Sequence, residues 1–305
     1  MALRFDLQSH STNSDGALSA TEVVQRAADA GVELLALSDH DTVSGVSDAI
    51  AAGERLGLPI VPAVEISAVD DDARGGADGG DRDGSPEARE LHILGYNIDH
   101  TDPLFTQRLT DFLADREQRT LRMAAALREV GFELDEQQLS ERVAAGQPIG
   151  RPHLAEAVLA APANADRLAA EHIDDIGSLI RGYLIEGRPA FRMRQTPTVA
   201  QAIQAIHDAG GLAVWAHPFW DISDPAEVLD SIERFHALGL DGVEAFYITH
   251  TREQTELLVE RCNALGLLTT GSADFHGPEN PTFSRFLAFD TFGLQPNLGP
   301  IADGR

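Results

Sequence analysis

Short apolar runs alternate with helical patterns along this chain, and a glycine closes most of the helices. Residues 3–7 read as a strand. Ser19-Ala20-Thr21-Glu22 has the spacing of a capping box, and the helix it opens runs to Ala30 with Gly31 at its stop. Residues 33–37 predict a second strand, and a helix then runs to Leu56, where Gly57 ends it. Residues 60–66 and 91–98 predict a third and a fourth strand. The pattern resumes at Pro197, which suits the first turn of a helix ending near Ala209. Strands over 212–216, 242–246 and 267–272 then alternate with helices that stop at Gly239 and Gly266. Strand–helix units of this kind predict a parallel β/α architecture, with enough strands to close as a barrel.

Two stretches interrupt the pattern. Residues 70–90 hold eight acids, three Arg and five Gly with almost nothing apolar. They predict an acidic, Gly-rich flexible loop between two strands, without the ordered spacing of a calcium loop. Residues 100–195 read as helical without strands. Pro103 opens a helix whose Phe105, Leu109, Phe112, Met123, Leu127 and Val130 suit one face, and shorter helices surround Leu154 and Ile180. The predicted organisation is a barrel from 1–99 and 196–305, interrupted by a helical insertion at 100–195. A length of 305 residues fits one large domain with an insertion.

Composition excludes several chemistries. There are 49 acidic and 23 basic residues, for a formal net charge of −26. That balance opposes a general electrostatic grip on long DNA or an anionic membrane. The acidity is uneven: the insertion holds 12 Arg against 15 acids, a net −3, and the other 209 residues carry −23. All 23 basic residues are Arg. Without Lys there is no Walker phosphate loop, no Schiff base and no carbamylated Lys to bridge two metals. Cys262 is the single cysteine, so neither an internal disulfide nor a thiolate metal cluster can form within these residues. Its helical setting at 253–265 predicts a buried structural Cys. No run approaches the ~18 apolar residues of a membrane span, and the N-terminus lacks a signal-peptide apolar core. The expected location is cytoplasmic.

Six groups of potential metal ligands fall on or at the ends of predicted strands. They are Gln8 and His10 with Asp15 in the loop beyond, then Asp39-His40-Asp41, Glu65, His92, His217-Pro218, and Asp274-Phe275-His276. In a β/α barrel such ends converge on one rim, where active sites sit. Imidazoles and carboxylates without thiolates suit Zn, Mn or Fe, and metals of this kind polarise phosphoryl oxygens and generate hydroxide at neutral pH. Taken singly, each has an ordinary explanation: Asp15 before Gly16 as a turn, Asp39 or Asp41 as a helix cap, Glu65 as a solvated rim carboxylate. Their joint placement is what carries the argument. His100, His172, His207 and His236 lack that placement, and His250 is intermediate.

Asp6-Leu7-Gln8-Ser9-His10-Ser11 with Ser14-Asp15-Gly16, Ser38-Asp39-His40-Asp41-Thr42, Val64-Glu65-Ile66-Ser67, His92-Ile93-Leu94-Gly95, Ala216-His217-Pro218 and Ser272-Ala273-Asp274-Phe275-His276 together resemble, in order, the motifs of the polymerase and histidinol phosphatase (PHP) family. The resemblance implies a distorted (β/α)7 barrel with a helical insertion domain, holding two or three divalent ions. Mn²⁺ is the expected metal, with Zn²⁺, Fe²⁺ and Mg²⁺ as alternatives. It also implies that His10, Glu65 and Asp274 hold one metal, that Glu65 bridges to a second held by His92 and His217, and that Asp15, His40 and His276 hold a third. Glu65 would then fill the role of the carbamylated Lys of related amidohydrolase barrels. The family's first motif usually reads His-x-His, and here Gln8 takes the first position. Three consequences are open: a weak amide ligand favouring Mn²⁺ or Mg²⁺, a partly filled site that leaves two metals, or impaired activity.

The insertion resembles that of a nucleotide-directed PHP subgroup at Gly150-Arg151-Pro152-His153, at Tyr183-Leu184 and at Gly187-Arg188-Pro189-Ala190. This implies hydrolysis of nucleoside 5′-monophosphates or 3′,5′-bisphosphates by attack of metal-bound hydroxide. Arg151 and His153 are the candidates for phosphate recognition, because a guanidinium fork matches phosphate oxygens. Arg188, Arg192 and Arg194 form a local basic stretch that reads better as solvated surface. Asp39 and His250 are the two candidates for the acid that protonates the leaving group. The alternatives are a 5′-to-3′ exonuclease on short RNA, a histidinol phosphate phosphatase, a C–N-cleaving amidohydrolase, and a metal- and nucleotide-binding module without turnover.

Overall fold

The computed structural model describes residues 3–71, 89–144, 149–185, 187–192 and 197–303. Contacts divide the chain into two compact units, Met1–Thr110 with Thr196–Arg305, and Asp111–Gln195. The division falls inside a helix, not at residue 100.

The first unit is the barrel. Its elements are β1 (Phe5–Asp6), α1 (Ala20–Asp29), β2 (Leu34–Leu37), α2 (Val46–Leu56), β3 (Ile60–Asp70) and β4 (Arg89–Tyr96). After the start of α3 (Pro103–Glu129) and the whole second unit come α8 (Val199–Asp208), β5 (Leu212–Trp215), α9 (Pro218–Asp221), α10 (Pro225–Ala237), β6 (Gly242–Tyr247), α11 (Arg252–Leu265) and β7 (Leu268–Ser272). The seven strands pair in sequence order. Leu7 N–H donates to Gly271 O at 3.2 Å and His10 N–H to Phe275 O at 2.9 Å, which joins the first strand to the last.

The helix ends obey the local chemistry. Ser19 and Glu22 form the capping box of α1, and Gly57 and Gly266 take left-handed conformations where α2 and α11 stop. Thr198, boxed with Gln201, caps α8, so Pro197 precedes the cap and does not occupy the first turn. The barrel interior is apolar, with Leu7, Ala36, Val61, Ala63, Leu94, Val214 and Ala216 all fully buried. Tyr96 crosses it and donates to Leu7 O at 2.9 Å. Cys262 is buried on α11, and burial pushes its thiol up to about 12.

Strand direction departs from the all-parallel expectation. β4 runs antiparallel to both β3 and β5, and the remaining neighbours are parallel. A parallel neighbour needs a crossover, usually a helix, and an antiparallel one does not. The connecting sequence, 71–88, has no apolar periodicity with which to build such a helix. β3 extends to Asp70, whose carboxylate accepts two hydrogen bonds from Arg234 at 2.8 and 2.7 Å. The ends of the expected acidic loop are therefore strand, and residues 72–88 lie outside the described residues.

The second unit holds most of α3, α4 (Glu136–Ala144), α5 (Arg151–Ala160), α6 (Ala165–Ala170) and α7 (Ile176–Leu179). Its own core includes Met123, Leu127, Phe132, Leu139, Leu154, Val158, Leu179 and Leu184. Arg167 lies 4.0 Å over the Phe132 ring and donates to Tyr183 Oη at 2.9 Å. Phe105 and Leu109, on the first turns of α3, are buried and belong to the barrel unit.

Candidate metal centre

The loop after β1 carries His10 and Asp15. Asp39, just past β2, holds that loop in place. Its carboxylate accepts from Ser11 N–H, Ser11 Oγ and Ser14 Oγ, each at 2.7 Å. Asp41 performs the same service for β3, accepting from Ser67 N–H at 3.0 Å and Ser67 Oγ at 3.1 Å. Gly16 is required by space: a Cβ there would stand 2.2 Å from His10 O. The antiparallel β4 brings His92, in its middle, opposite Ser67 of β3, two residues from Glu65 in the middle of that strand.

Glu65 is the hub. His92 Nδ1 lies 2.8 Å and His217 Nε2 3.2 Å from Oε1, while His10 Nε2 lies 3.0 Å and His40 Nδ1 3.7 Å from Oε2. Asp274 Oδ1 is 3.1 Å from His10 Nε2. Asp15 stands 3.6 Å from His40, 3.5 Å from His276 and 3.7 Å from His10. Three groupings have donor atoms close enough to share an ion: His10, Asp15, His40 and His276; His40, Glu65 and His92; His10, Glu65 and Asp274. The five imidazoles pack in a chain, with centroids 4.3–5.3 Å apart from His276 through His10, His40 and His92 to His217. His217 and Asp274 take positive φ, at 31° and 53°, as does Asp41 at 55°. Such backbone strain concentrates at functional sites.

The electrostatics fit cations. Burial alone would raise Glu65, but the surrounding imidazoles, led by His40 and His92, hold it well below the carboxylate range. Asp15 is likewise held low, with His40 and His276 overcoming burial. Burial pushes His40 down to about 3. His10 Nδ1 and Nε2, His40 Nδ1, His217 Nδ1 and Asp274 Oδ1 are buried with no hydrogen-bond partner among the described residues. Buried polar atoms are normally satisfied. Divalent ions would satisfy these, so the cluster is suited to metals.

Gln8 is fully buried beside this hub. Its Nε2 donates to Glu65 Oε2 at 2.8 Å, and its Oε1 accepts from Ser272 Oγ at 3.3 Å. The amide therefore turns its NH₂, not its ligating oxygen, toward the cluster. The two acid candidates also find other roles. Both oxygens of Asp39 are taken by the serines. His250 lies behind Tyr247, with rings 5.4 Å apart, and its Nδ1 pairs with Ala245 O at 3.1 Å. Burial pushes His250 down to about 4. Arg151 and His153 stand in the first turn of α5 in the helical unit, where His153 Nδ1 accepts from Gly150 N–H at 3.0 Å. Arg192 donates to Pro189 O and Phe191 O of its own segment, Arg188 is exposed, and Arg194 lies outside the described residues.

Asp6 was quoted from sequence only as part of its motif, and Glu244 and Tyr247 were not singled out. Asp6 accepts from Ala273 N–H and Leu287 N–H, and burial pushes it up to about 7. Glu244 accepts from His217 N–H at 2.9 Å and Ser272 Oγ at 2.6 Å. Tyr247 donates to Asp274 Oδ2 at 2.8 Å. The available signal for Glu244 was an acid inside the otherwise apolar strand Gly242-Val243-Glu244-Ala245-Phe246.

Fold and site thus define a β/α barrel whose rim gathers donors for more than one divalent ion. The PHP domain family matches residues 6–186, and the chain belongs to that family. It is 32% identical to a 5′-3′ exoribonuclease of Haemophilus influenzae, over 91% of this chain and 92% of the relative. It is 30% identical to a 3′,5′-nucleoside bisphosphate phosphatase of Chromobacterium violaceum, over 90% and 87%. Among solved structures, an amidohydrolase from Chromobacterium violaceum, with sulfate bound and no metal, superposes with a TM-score of 0.77 at 26% identity, covering 99% of this chain and 96% of that one.

Proposed function

We propose that this chain hydrolyses phosphomonoesters of nucleotides, either nucleoside 5′-monophosphates or 3′,5′-bisphosphates, with two or three divalent ions held at the Glu65 hub. The observation that carries this is the convergence of four imidazoles on one buried carboxylate, in a family whose curated relatives are named as phosphoester hydrolases. His10, Glu65 and Asp274 would hold one ion, Glu65, His92 and His217 a second, and Asp15, His40 and His276 a third. When bound, such ions supply Lewis-acid charge to a phosphoryl group and lower the pKa of water.

The chain's own residues orient that centre. Glu65 is fixed by Gln8, Asp274 by Tyr247, the His217 backbone by Glu244, and the His10–Asp15 loop by Asp39. The orientation of Gln8 supports the lower metal count. Mn²⁺ belongs to the same proposal, since a nitrogen-and-carboxylate set without thiolate suits it. So do Arg151 and His153 as substrate-binding residues of the helical insertion, supported by their motif, and a cytoplasmic location. Among the described residues no helix is long and apolar enough to cross a membrane.

A second reading, 5′-to-3′ exonuclease action on short RNA, draws support from the exoribonuclease relative. Phosphate release from nucleoside mono- and bisphosphates, measured beside product length on 5′-phosphorylated RNA, separates the two. Free phosphate from mononucleotides with intact RNA supports the phosphatase. Stepwise RNA shortening supports the exonuclease. Tight metal and nucleotide binding without turnover would make it a binding module and overturn the proposal.

A further inference from the structure

Beside the acid–imidazole cluster the barrel rim carries a second kind of surface. Trp220, on the short α9 that follows His217, is 54% exposed. Its ring stands 5.6 Å from Phe283 and 6.4 Å from Tyr247, edge-on to both. Phe283 lies 5.4 Å from His276, and Tyr247 lies 5.2 Å from His217. Two lines of touching rings therefore lead from two of the proposed metal ligands to one exposed indole. Tyr247 is buried and its hydroxyl is tied to Asp274, so it forms a fixed floor. Trp220 and the half-buried Phe283 are the members that meet solvent. The other tryptophan, Trp215, is fully buried against Phe235.

A single exposed aromatic needs no explanation. An exposed indole one ring away from metal-type imidazoles, packed on a half-buried Phe283 that touches one of them, does. A phosphate ester held at the cluster must direct the rest of itself outward along the rim. In a nucleotide, a ribose separates the phosphorus from a flat aromatic base. The open rings carry no charge and present π faces, which suit stacking on a flat base.

Resting on the nucleotide phosphatase reading, we propose that Trp220 and Phe283 form the stacking platform for the substrate's nucleobase. Stacking of this kind tolerates every base, because each has a π face. The platform therefore gives preference for nucleotides over simple sugar phosphates, with weak discrimination among bases.

The test compares adenosine 5′-monophosphate with ribose 5-phosphate in Trp220→Ala, Phe283→Ala and Trp220→Phe. Truncation is expected to raise KM for the nucleotide by roughly 5- to 140-fold, the span of one lost base–aromatic stack. The effect is confined to the base-bearing ester, and Trp220→Phe restores most of it. A second readout needs no turnover. In EDTA, adenosine is expected to quench the fluorescence of the exposed Trp220, ribose is not, and Trp220→Phe abolishes the response. Equal KM changes for both esters, or no quenching by adenosine, overturn the platform. If wild-type protein releases phosphate from neither ester, the phosphatase reading fails, and the adenosine quenching still decides the platform.

Discussion

At the scale of single residues, Glu65 and Gln8 decide the centre. Glu65 is approached by four imidazoles, and no other carboxylate of the cluster is. Glu65→Gln removes the charge that binds two proposed ions, and both bound metal and phosphate release are expected to fall roughly 10²-fold or more. Elemental analysis beside the assay checks this; retained metal and activity would refute the bridging role. Gln8→His supplies an imidazole where the amide now donates to Glu65, and is expected to raise metal content toward one further ion per chain. Unchanged metal content would show that Gln8 does not set the count. Titration adds a prediction for the metal-free protein. Burial holds His40 at about 3 and His250 at about 4, so their effect is stability that grows as pH rises to ~6.5. Groups raised in the folded state act in the opposite sense, each from its ordinary value upward. Burial would lower His217, but the Glu65 carboxylate and the Asp221 and Glu244 charges raise it to about 10, and burial raises Glu244 to about 8. Groups raised in the folded state bind more protons folded than unfolded, so their contribution is lost as pH climbs through 8 and 10. In EDTA, Tm should decline as pH climbs from 7 toward 10. A flat or rising Tm above pH 7 would contradict these assignments.

At the scale of elements, the loop after β1 is the most constrained piece. Gly16→Ala places a methyl 2.2 Å from His10 O, so the backbone that sets His10 against Asp15 must shift. Overpacking of this kind costs about 1–3 kcal/mol, and the variant is expected to fold with a lower Tm and weaker metal retention. Unaltered metal affinity by calorimetry would show that the loop tolerates the shift. Much of this level was legible in the sequence. Ser19-Ala20-Thr21-Glu22, Gly57 and Gly266 mark helix ends by local chemistry alone, and they stand where read. The direction of β4 was not legible, because an apolar run looks alike in either direction. Neither were the roles of Asp39 and His250, since a carboxylate's partners and a ring's burial are set by neighbours far off in the chain. The ligand-type residues were visible because their positions follow strand order. Glu244 was marked only by being an acid inside an apolar strand, and Tyr247 and Trp220 serve through contacts with residues far off in the chain, which no local pattern marks.

At the scale of the molecule, the charge of −26 acts on stability as well as on partners. Screening shortens from ~30 Å at 0.01 M salt to ~3 Å at 1 M. Raising NaCl over that range should therefore relieve self-repulsion and increase Tm, whereas a Tm that falls with salt would show that attractive surface pairs dominate. The same acidity opposes long nucleic acid, yet divalent ions at the rim would invert the local sign and admit a small phosphate ester. That inversion is the central claim, and rigorous chelation tests it directly. Phosphate release from a nucleoside monophosphate and a 3′,5′-bisphosphate should vanish in excess EDTA and return with added Mn²⁺. Full release from protein shown to be free of metal would contradict it.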